Sequence, residues 1–450
     1  LRRTKWGGLA DRGFEASGFF RVDQRDGIHW LVDPDGGLFL SKGVNNVRFD
    51  PDNIRNTDKV PYAQACLDKY GSRNNWRAAA ANRLVSWNFN TIGCWSDEVV
   101  AGAGDTPLAM TPIVDLGASF WLHRRQRFPD VFDDEFESHI RQRAKELCTP
   151  RRNAPQLLGT FIDNELYWSP DWRGNDELLT TFLNFPPRRP GRETAITALQ
   201  QHYRDFEQFN AVWCTPARSW DALHMLGRIE APFTRLAPGA RYNTEESWAN
   251  KLDRRREAFA ADCDAFAAVV ADRYFELCVG AIKAADPNHL VLGARFGALP
   301  HDGVLAAAAR HLDVISFNCY HADPTPLIEA YATTGKPCII TEFSFRGDDV
   351  GLPNSMGGGP RVPTQTERAA CFRSYATAAV SHPNIVGYHW FEHADQPREG
   401  RFDGEDCNYG TVTIEDQVYP ELTGAMTEVN ADAELLHSQG AAIASAAAQA

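Results

Sequence analysis

Two glutamates close apolar runs that lie far apart in the chain: Glu165 ends "LLGTFIDNE" and Glu342 stands in "PCIITEFSF". A buried strand with a carboxylate at its tip invites a chemical explanation. Two such carboxyls brought together suit the cleavage of a glycosidic bond. One must be protonated to donate to the leaving oxygen, and the other ionised to attack the anomeric carbon or activate a water. Burial and mutual repulsion separate the pKa values of such a pair, so one kind of side chain supplies both acid and base. A lone glutamate at a strand end is as often a salt-bridge partner or a helix cap; the pairing favours chemistry.

For the two to meet, the runs that carry them must belong to one sheet. Eight short, mostly apolar runs qualify as strands: 38–45, 89–95, 112–117, 157–165, 289–296, 313–320, 337–345 and 385–391. Runs of this kind fit parallel strands covered on both faces. Between them, 74–87 carries Trp76, Ala80, Leu84 and Trp87 at helical spacing, and 134–148, 254–284, 303–311, 326–334 and 364–382 are comparable. The alternation predicts a parallel α/β sheet, and eight repeats predict a (β/α)8 TIM barrel. A doubly wound sheet would alternate similarly, but neither GxGxxG nor GxxxxGK[ST] follows the first strand. In a barrel, the ends of strands four and seven face one another across the mouth where catalytic side chains gather.

Three regions fall outside the rhythm. Residues 18–44 alternate apolar and polar residues around Asp26-Gly27 and Asp35-Gly36, which predicts a β-hairpin in an N-terminal extension over 1–37, before a barrel over 38–430. The stretch 166–253 is too long for an unstructured loop; with 193–209 helical, it reads as a partly helical insertion after strand four. Residues 431–450 are Ala-rich and read as a frayed helix or tail.

The strand ends are rich in polar groups: Asn45 and Asn46, Trp95, Asp115, Asn164 with Glu165, Arg295, Asn318 with Tyr320 and His321, Glu342, and Trp390 with Glu392 and His393. Asn45, Asn46, Glu392, His321, His389 and His393 are candidate ligands for sugar hydroxyls, although a lone His in such a place is more often satisfied structurally. Arg295 either pairs with Glu342 and favours its charged form or makes an ion pair elsewhere. Trp95, Trp168 and Trp172 are candidates for an aromatic sugar surface, set against the fact that many of the twelve tryptophans must be core. No HxH on strand one and no HExxH favours a metal site, and no GxSxG favours a serine hydrolase. Neither a metal nor a cofactor is expected.

Asn164-Glu165 ending strand four, with Glu342 ending strand seven, resembles the clan of retaining (β/α)8 glycoside hydrolases that holds β-galactosidases, cellulases and agarases. The resemblance spans nearly the whole chain. Within the clan, "FIDNELYW", "ITEFSF" and "GYHWFEHADQPREGRFDGEDCNYGTV" are most similar to the β-agarase and β-galactosidase branch, and "FNAVWCTPARSW" resembles a helix-to-loop passage of the β-galactosidase relatives. The resemblance implies that Glu165 is the general acid/base, Glu342 the nucleophile, and that anomeric configuration is retained. It further implies that Asn164 binds the sugar 2-OH, that Tyr320 hydrogen-bonds the nucleophile, and that Trp390 is a sugar platform. One difficulty is geometric, because strict alternation sends Asn164 and Glu165 to opposite faces, so the strand must bend or bulge at its end.

Bulk properties agree with a saccharide partner. The 450 residues, 43% hydrophobic, suffice for a large core, and a net charge of −13 argues against a nucleic-acid ligand. No apolar stretch is long enough to span a bilayer. The ten scattered cysteines, several inside apolar runs, look like small buried hydrophobes. They favour a cytoplasmic location over a secreted or periplasmic one with a trimmed leader. The expected function is a retaining β-glycoside hydrolase acting on β-galactoside or agar-type oligosaccharides. The alternatives are a β-glucoside, β-mannoside or β-xyloside specificity, or a non-catalytic carbohydrate-binding barrel. Exo or endo mode and oligomeric state stay open.

Overall fold

A computed structural model of the protein describes residues 2–122, 127–234 and 254–447. Its strands are β1 Arg21–Arg25, β2 Ile28–Val32, β3 Leu38–Phe39, β4 Ser41–Val44, β5 Thr91–Ile92, β6 Ala109–Met110, β7 Gly159–Thr160, β8 Leu290–Val291, β9 Ile315–Asn318, β10 Cys338–Phe343, β11 Arg346–Gly347, β12 Arg361–Val362 and β13 Ile385–Trp390. Six of them form a parallel sheet in the order β6-β5-β4-β13-β10-β9, and β7 pairs with β8, also in parallel. Isolated parallel bridges join Met110 to Leu157, Ile113 to Phe161, and Phe296 to Phe317, so the β7–β8 pair is joined to both outer strands of the six. The regular ladders are shorter than the apolar runs that predict them. The third run is also displaced: its ladder is at Ala109–Met110, and Leu116–Leu122 is already helical.

Before the parallel sheet, β1 and β2 pair in antiparallel register from Arg21–Val32 to Arg25–Ile28. Asp26 (φ 53°) and Gly27 (φ 79°) between them are both left-handed, as a two-residue turn that follows the strand twist requires. The β3 strand joins as the third member, so a boundary at 37 cuts through this small sheet.

Helices flank the strands, among them Arg73–Ser86, Asp134–Cys148, Arg254–Ala285, Asp302–His311, Thr325–Ala332 and Gln365–Ser381. The 166–253 stretch carries four helices, Leu178–Leu183, Pro190–His202, Phe206–Trp213 and Trp220–Met225; its residues 235–253 lie outside the described ones. All ten cysteines are free, and eight are buried. None of the described helices is long and apolar enough to cross a membrane.

The Ala-rich end, read from 431 as a frayed helix or a tail, begins as packed helix. A continuous helix, Pro420–Ala447, runs through it, and Glu434 and His437 are buried. The physical reason is an ion pair: Glu434 Oε1 accepts from Lys42 Nζ at 2.6 Å, and Oε2 from Arg3 Nη2 at 2.9 Å. Both Lys42 and Glu434 are almost fully out of water, so each relies on the other for compensation. Glu434→Ala should therefore lower stability by about 3–5 kcal/mol, because Lys42 is left as an uncompensated buried charge. The double variant Lys42→Met/Glu434→Leu should recover most of that loss. Denaturant unfolding of the three proteins checks it.

Candidate functional site

Beyond each of five successive strands of the parallel set, β4 to β8, the chain passes through a residue with left-handed backbone: Asn46 (φ 56°), Trp95 (φ 60°), Asp115 (φ 48°), Glu165 (φ 50°) and Arg295 (φ 46°). For a residue with a Cβ each such conformation costs on the order of 1 kcal/mol, and clusters of them occur where side chains must be aimed. At Glu165 the effect resolves the alternation problem. The chain leaves extended geometry there, and Asn164 and Glu165 both reach Asn318, whose Nδ2 donates to Asn164 Oδ1 (3.2 Å) and Glu165 Oε1 (2.8 Å).

Strand β10 contributes through an irregularity. Its register slips between Ile340 and Glu342 against β9, and between Ile340 and Phe343 against β13. Bulges of this kind re-aim side chains. Here Thr341 O accepts from Arg295 Nη2 (3.0 Å) and Asn45 Nδ2 (2.8 Å), while Glu342 turns to meet Arg295. Glu342 Oε1 lies 2.9 Å from Arg295 Nη2, and Oε2 accepts from Tyr320 Oη at 2.7 Å. Arg295 is fully buried; it also donates from Nη1 to Asn164 Oδ1 (2.8 Å), and its guanidinium lies 4.5 Å from the Trp95 ring centre. One cation thus bonds the nearest neighbour of one glutamate and the carboxylate of the other.

The electrostatics favour a proton on Glu165. Burial, and then the charge of Glu342, push the Glu165 carboxyl up to about 7, against a smaller lowering by the Asn318 hydrogen bond. Glu165 thus holds a proton at neutral pH much more readily than a solvated glutamate does. Burial and the neighbouring Glu342 carboxylate also push the Tyr320 phenol up, which keeps it a donor.

The remaining candidates divide. Asn45 is buried with its amide spent internally, Nδ2 on Thr341 O and Oδ1 on the Cys94 amide (2.9 Å), so it braces the site and offers nothing to a ligand. Trp390 is also fully buried: its ring packs on Phe343 and Phe372, Arg368 lies over it, and Nε1 donates to Tyr409 O at 2.8 Å. That corrects the platform expectation. With the two-residue period of a strand, the next residue faces the other way, and Phe391 lies edge-on to Trp95 and Tyr320. Trp168 is core as well, stacked on Phe275 at 5.3 Å under the Arg254–Ala285 helix. His321 is exposed next to Tyr320, and Trp95 is half-buried. His389 and His393 are fully buried, and burial pushes both imidazoles down to about 3, so they stay neutral.

Glu392 belongs to a buried acidic group. Asn46 Nδ2 donates to its Oε2 at 2.5 Å and Gln396 Nε2 to its Oε1 at 3.0 Å, and Gln396 also donates to Glu405 (2.9 Å). Arg401 faces Asp52, Glu392, Asp403 and Glu405 at 3.9, 3.8, 3.0 and 2.7 Å. Burial raises the Glu392 carboxyl well above its usual range. Among the described residues, no group of three or more His, Cys, Asp or Glu is placed to hold a metal ion. Asn318 is the residue that sequence reasoning undervalued. It closes β9, two positions before Tyr320, whose hydroxyl bonds Glu342, and that spacing was the available signal.

By sequence and fold the chain resembles glycoside hydrolases of the agarase branch. It is 29% identical over 478 residues to β-agarase A of Vibrio sp. (strain JT0107), covering 90% of this chain and 44% of that protein. To β-agarase B of the same strain it is 27% identical over 511 residues, covering 96% and 50%. Among solved structures, an exo-β-agarase superposes with a TM-score of 0.79 at 23% identity, over 97% of this chain and 68% of that one. The crystal structure of another agarase gives 0.76 at 25% identity, over 97% and 68%. The chain thus spans about half the length of the curated relatives it matches. No family model matches it.

If the Glu342 charge is what helps hold the proton on Glu165, Glu342→Gln should lower the Glu165 pKa from about 7. Carbon-13 NMR titration of glutamate-labelled protein measures it; an unchanged value would mean that the two groups do not sense each other.

Proposed function

We propose that the protein is a retaining β-glycoside hydrolase acting by double displacement on agar-type or other β-galactoside oligosaccharides, at the mouth of an eight-stranded (β/α)8 barrel. The barrel reading is supported by parallel pairings that pass from strand to strand and return to the first without an edge. The catalytic reading rests on one observation: two glutamates share a site in which one is held by a guanidinium and a phenol and the other is biased toward its protonated form. A binding module has no use for that asymmetry. The agar-type substrate is supported by the agarase relatives.

In this reading Glu342 attacks the anomeric carbon as the bond to the leaving oxygen breaks, and Glu165 gives its proton to that oxygen. A covalent glycosyl–Glu342 ester forms. Glu165, now ionised, takes a proton from water, whose oxygen displaces Glu342 and restores the starting configuration. Retention requires carboxyls about 5–5.5 Å apart, whereas a gap of roughly 6.5 Å or more admits water and gives inversion. Asn164 has its Oδ1 committed to Arg295 and Asn318, so its Nδ2 hydrogens are what it can offer a sugar hydroxyl.

Glu342→Ala should abolish hydrolysis of agar oligosaccharides and of an aryl β-galactoside, and azide should restore the latter with inverted product, read by proton NMR. Azide rescue in Glu165→Ala with an inverted product would exchange the two roles. Glu165→Ala should cost roughly 10²–10⁴-fold on oligosaccharides but far less on substrates with a good leaving group, which needs little protonation. Wild-type kcat/KM on oligosaccharides should fall as pH rises through about 7, where Glu165 loses its proton. Activity flat across that range would remove Glu165 as the acid.

A further inference from the structure

The loop after Glu165 reads "LYWSPDWRGND", and its tip is a two-residue turn: Asp171 and Gly174 exchange main-chain hydrogen bonds in both directions, at 3.0 and 3.1 Å, around Trp172 and Arg173. Arg173 pins the turn. Its Nη1 donates to Glu165 O at 2.6 Å, its Nε donates to Asp171 Oδ2 at 3.0 Å, and its guanidinium lies 4.6 Å from the Trp172 ring centre and 5.6 Å from that of Tyr167. Trp172 is nevertheless 64% exposed. It is also next to the acid. A Cβ built on Gly297 would come within 2.8 Å of Trp172 Cη2 and 2.9 Å of Glu165 Cδ, so this glycine gives both side chains room to sit against it.

An exposed indole costs apolar hydration, and this one is held still by a turn, an arginine and a glycine rather than left to fold away. Glu165 delivers its proton to the oxygen of the departing sugar, so an aromatic face beside it lies where that sugar must stand. Resting on the catalytic reading above, we propose that Trp172 is the floor of the leaving-group subsite and takes the C–H face of a neutral sugar, with Gly297 and Arg173 as the residues that position it. The occupant is a neutral pyranose. A flat ring whose outer face carries no hydrogen-bonding group selects C–H surface, and the Arg173 guanidinium braced against it is already shared with Asp171 and the Glu165 carbonyl.

The test compares two substrates in wild type and Trp172→Ala: an agar oligosaccharide, which fills the subsite, and a β-galactosyl fluoride, whose leaving group does not reach it. Trp172→Ala should lower kcat/KM on the oligosaccharide about tenfold or more, the loss expected when one aromatic anchor is truncated. On the fluoride the loss should be much smaller, and Trp172→Phe should restore much of the oligosaccharide activity. With the fluoride as donor, added agar oligosaccharide should accept the glycosyl group in wild type, and this transfer should drop in Trp172→Ala. Equal loss on both substrates, or no loss on either, overturns the subsite. A wild type inactive on both overturns the catalytic reading instead. Unfolding curves matching wild type confirm that the exposed substitution leaves the fold intact.

Discussion

The site is organised around the buried guanidinium of Arg295. Its positive charge sits with no exposed surface in the centre of the strand ends, and it would be costly there without the Glu342 carboxylate 2.9 Å away. The planar fork then fixes geometry that a point charge would not: one nitrogen serves Asn164, while the other serves both the Thr341 carbonyl and Glu342. Strands four, five and seven are therefore tied through a single side chain. Trp95 adds the end of a further strand by lying against the guanidinium.

The main chain bends to allow this. Asn46, Trp95, Asp115, Glu165 and Arg295 all turn left-handed as their strands finish, and β10 slips register before Glu342. Neither feature helps the sheet, and each gives up some regular pairing or conformational ease. Packing away from the mouth holds them in place: Asn45 spends its whole amide on backbone groups, and Trp390 and Trp168 fill the layer between strands and helices. The aromatic residues with the most regular surroundings are thus the ones least able to meet a ligand.

Much of this arrangement could be read from residue types alone. The acidic tips of the apolar runs singled out Glu165 and Glu342, although only Glu342 stands in a regular strand, the ladder before Glu165 ending at Thr160. The reading failed where one residue of register mattered, as at Trp390, because sequence does not say which way the last residue of a strand faces. It also missed the burial of Asn45 and Glu392, whose partners come from segments hundreds of residues away. The Ala-rich stretch from 431 read as a frayed helix or tail because alanine carries little signal; its anchoring depends on Glu434 finding Lys42 across most of the sequence.

That anchoring has a practical side. Arg3 and Lys42 both donate to the buried Glu434, which ties the segment before the first hairpin and the start of β4 to the helix Pro420–Ala447. A version of the chain cut short before Glu434 would leave both cations without their carboxylate, one of them almost fully buried.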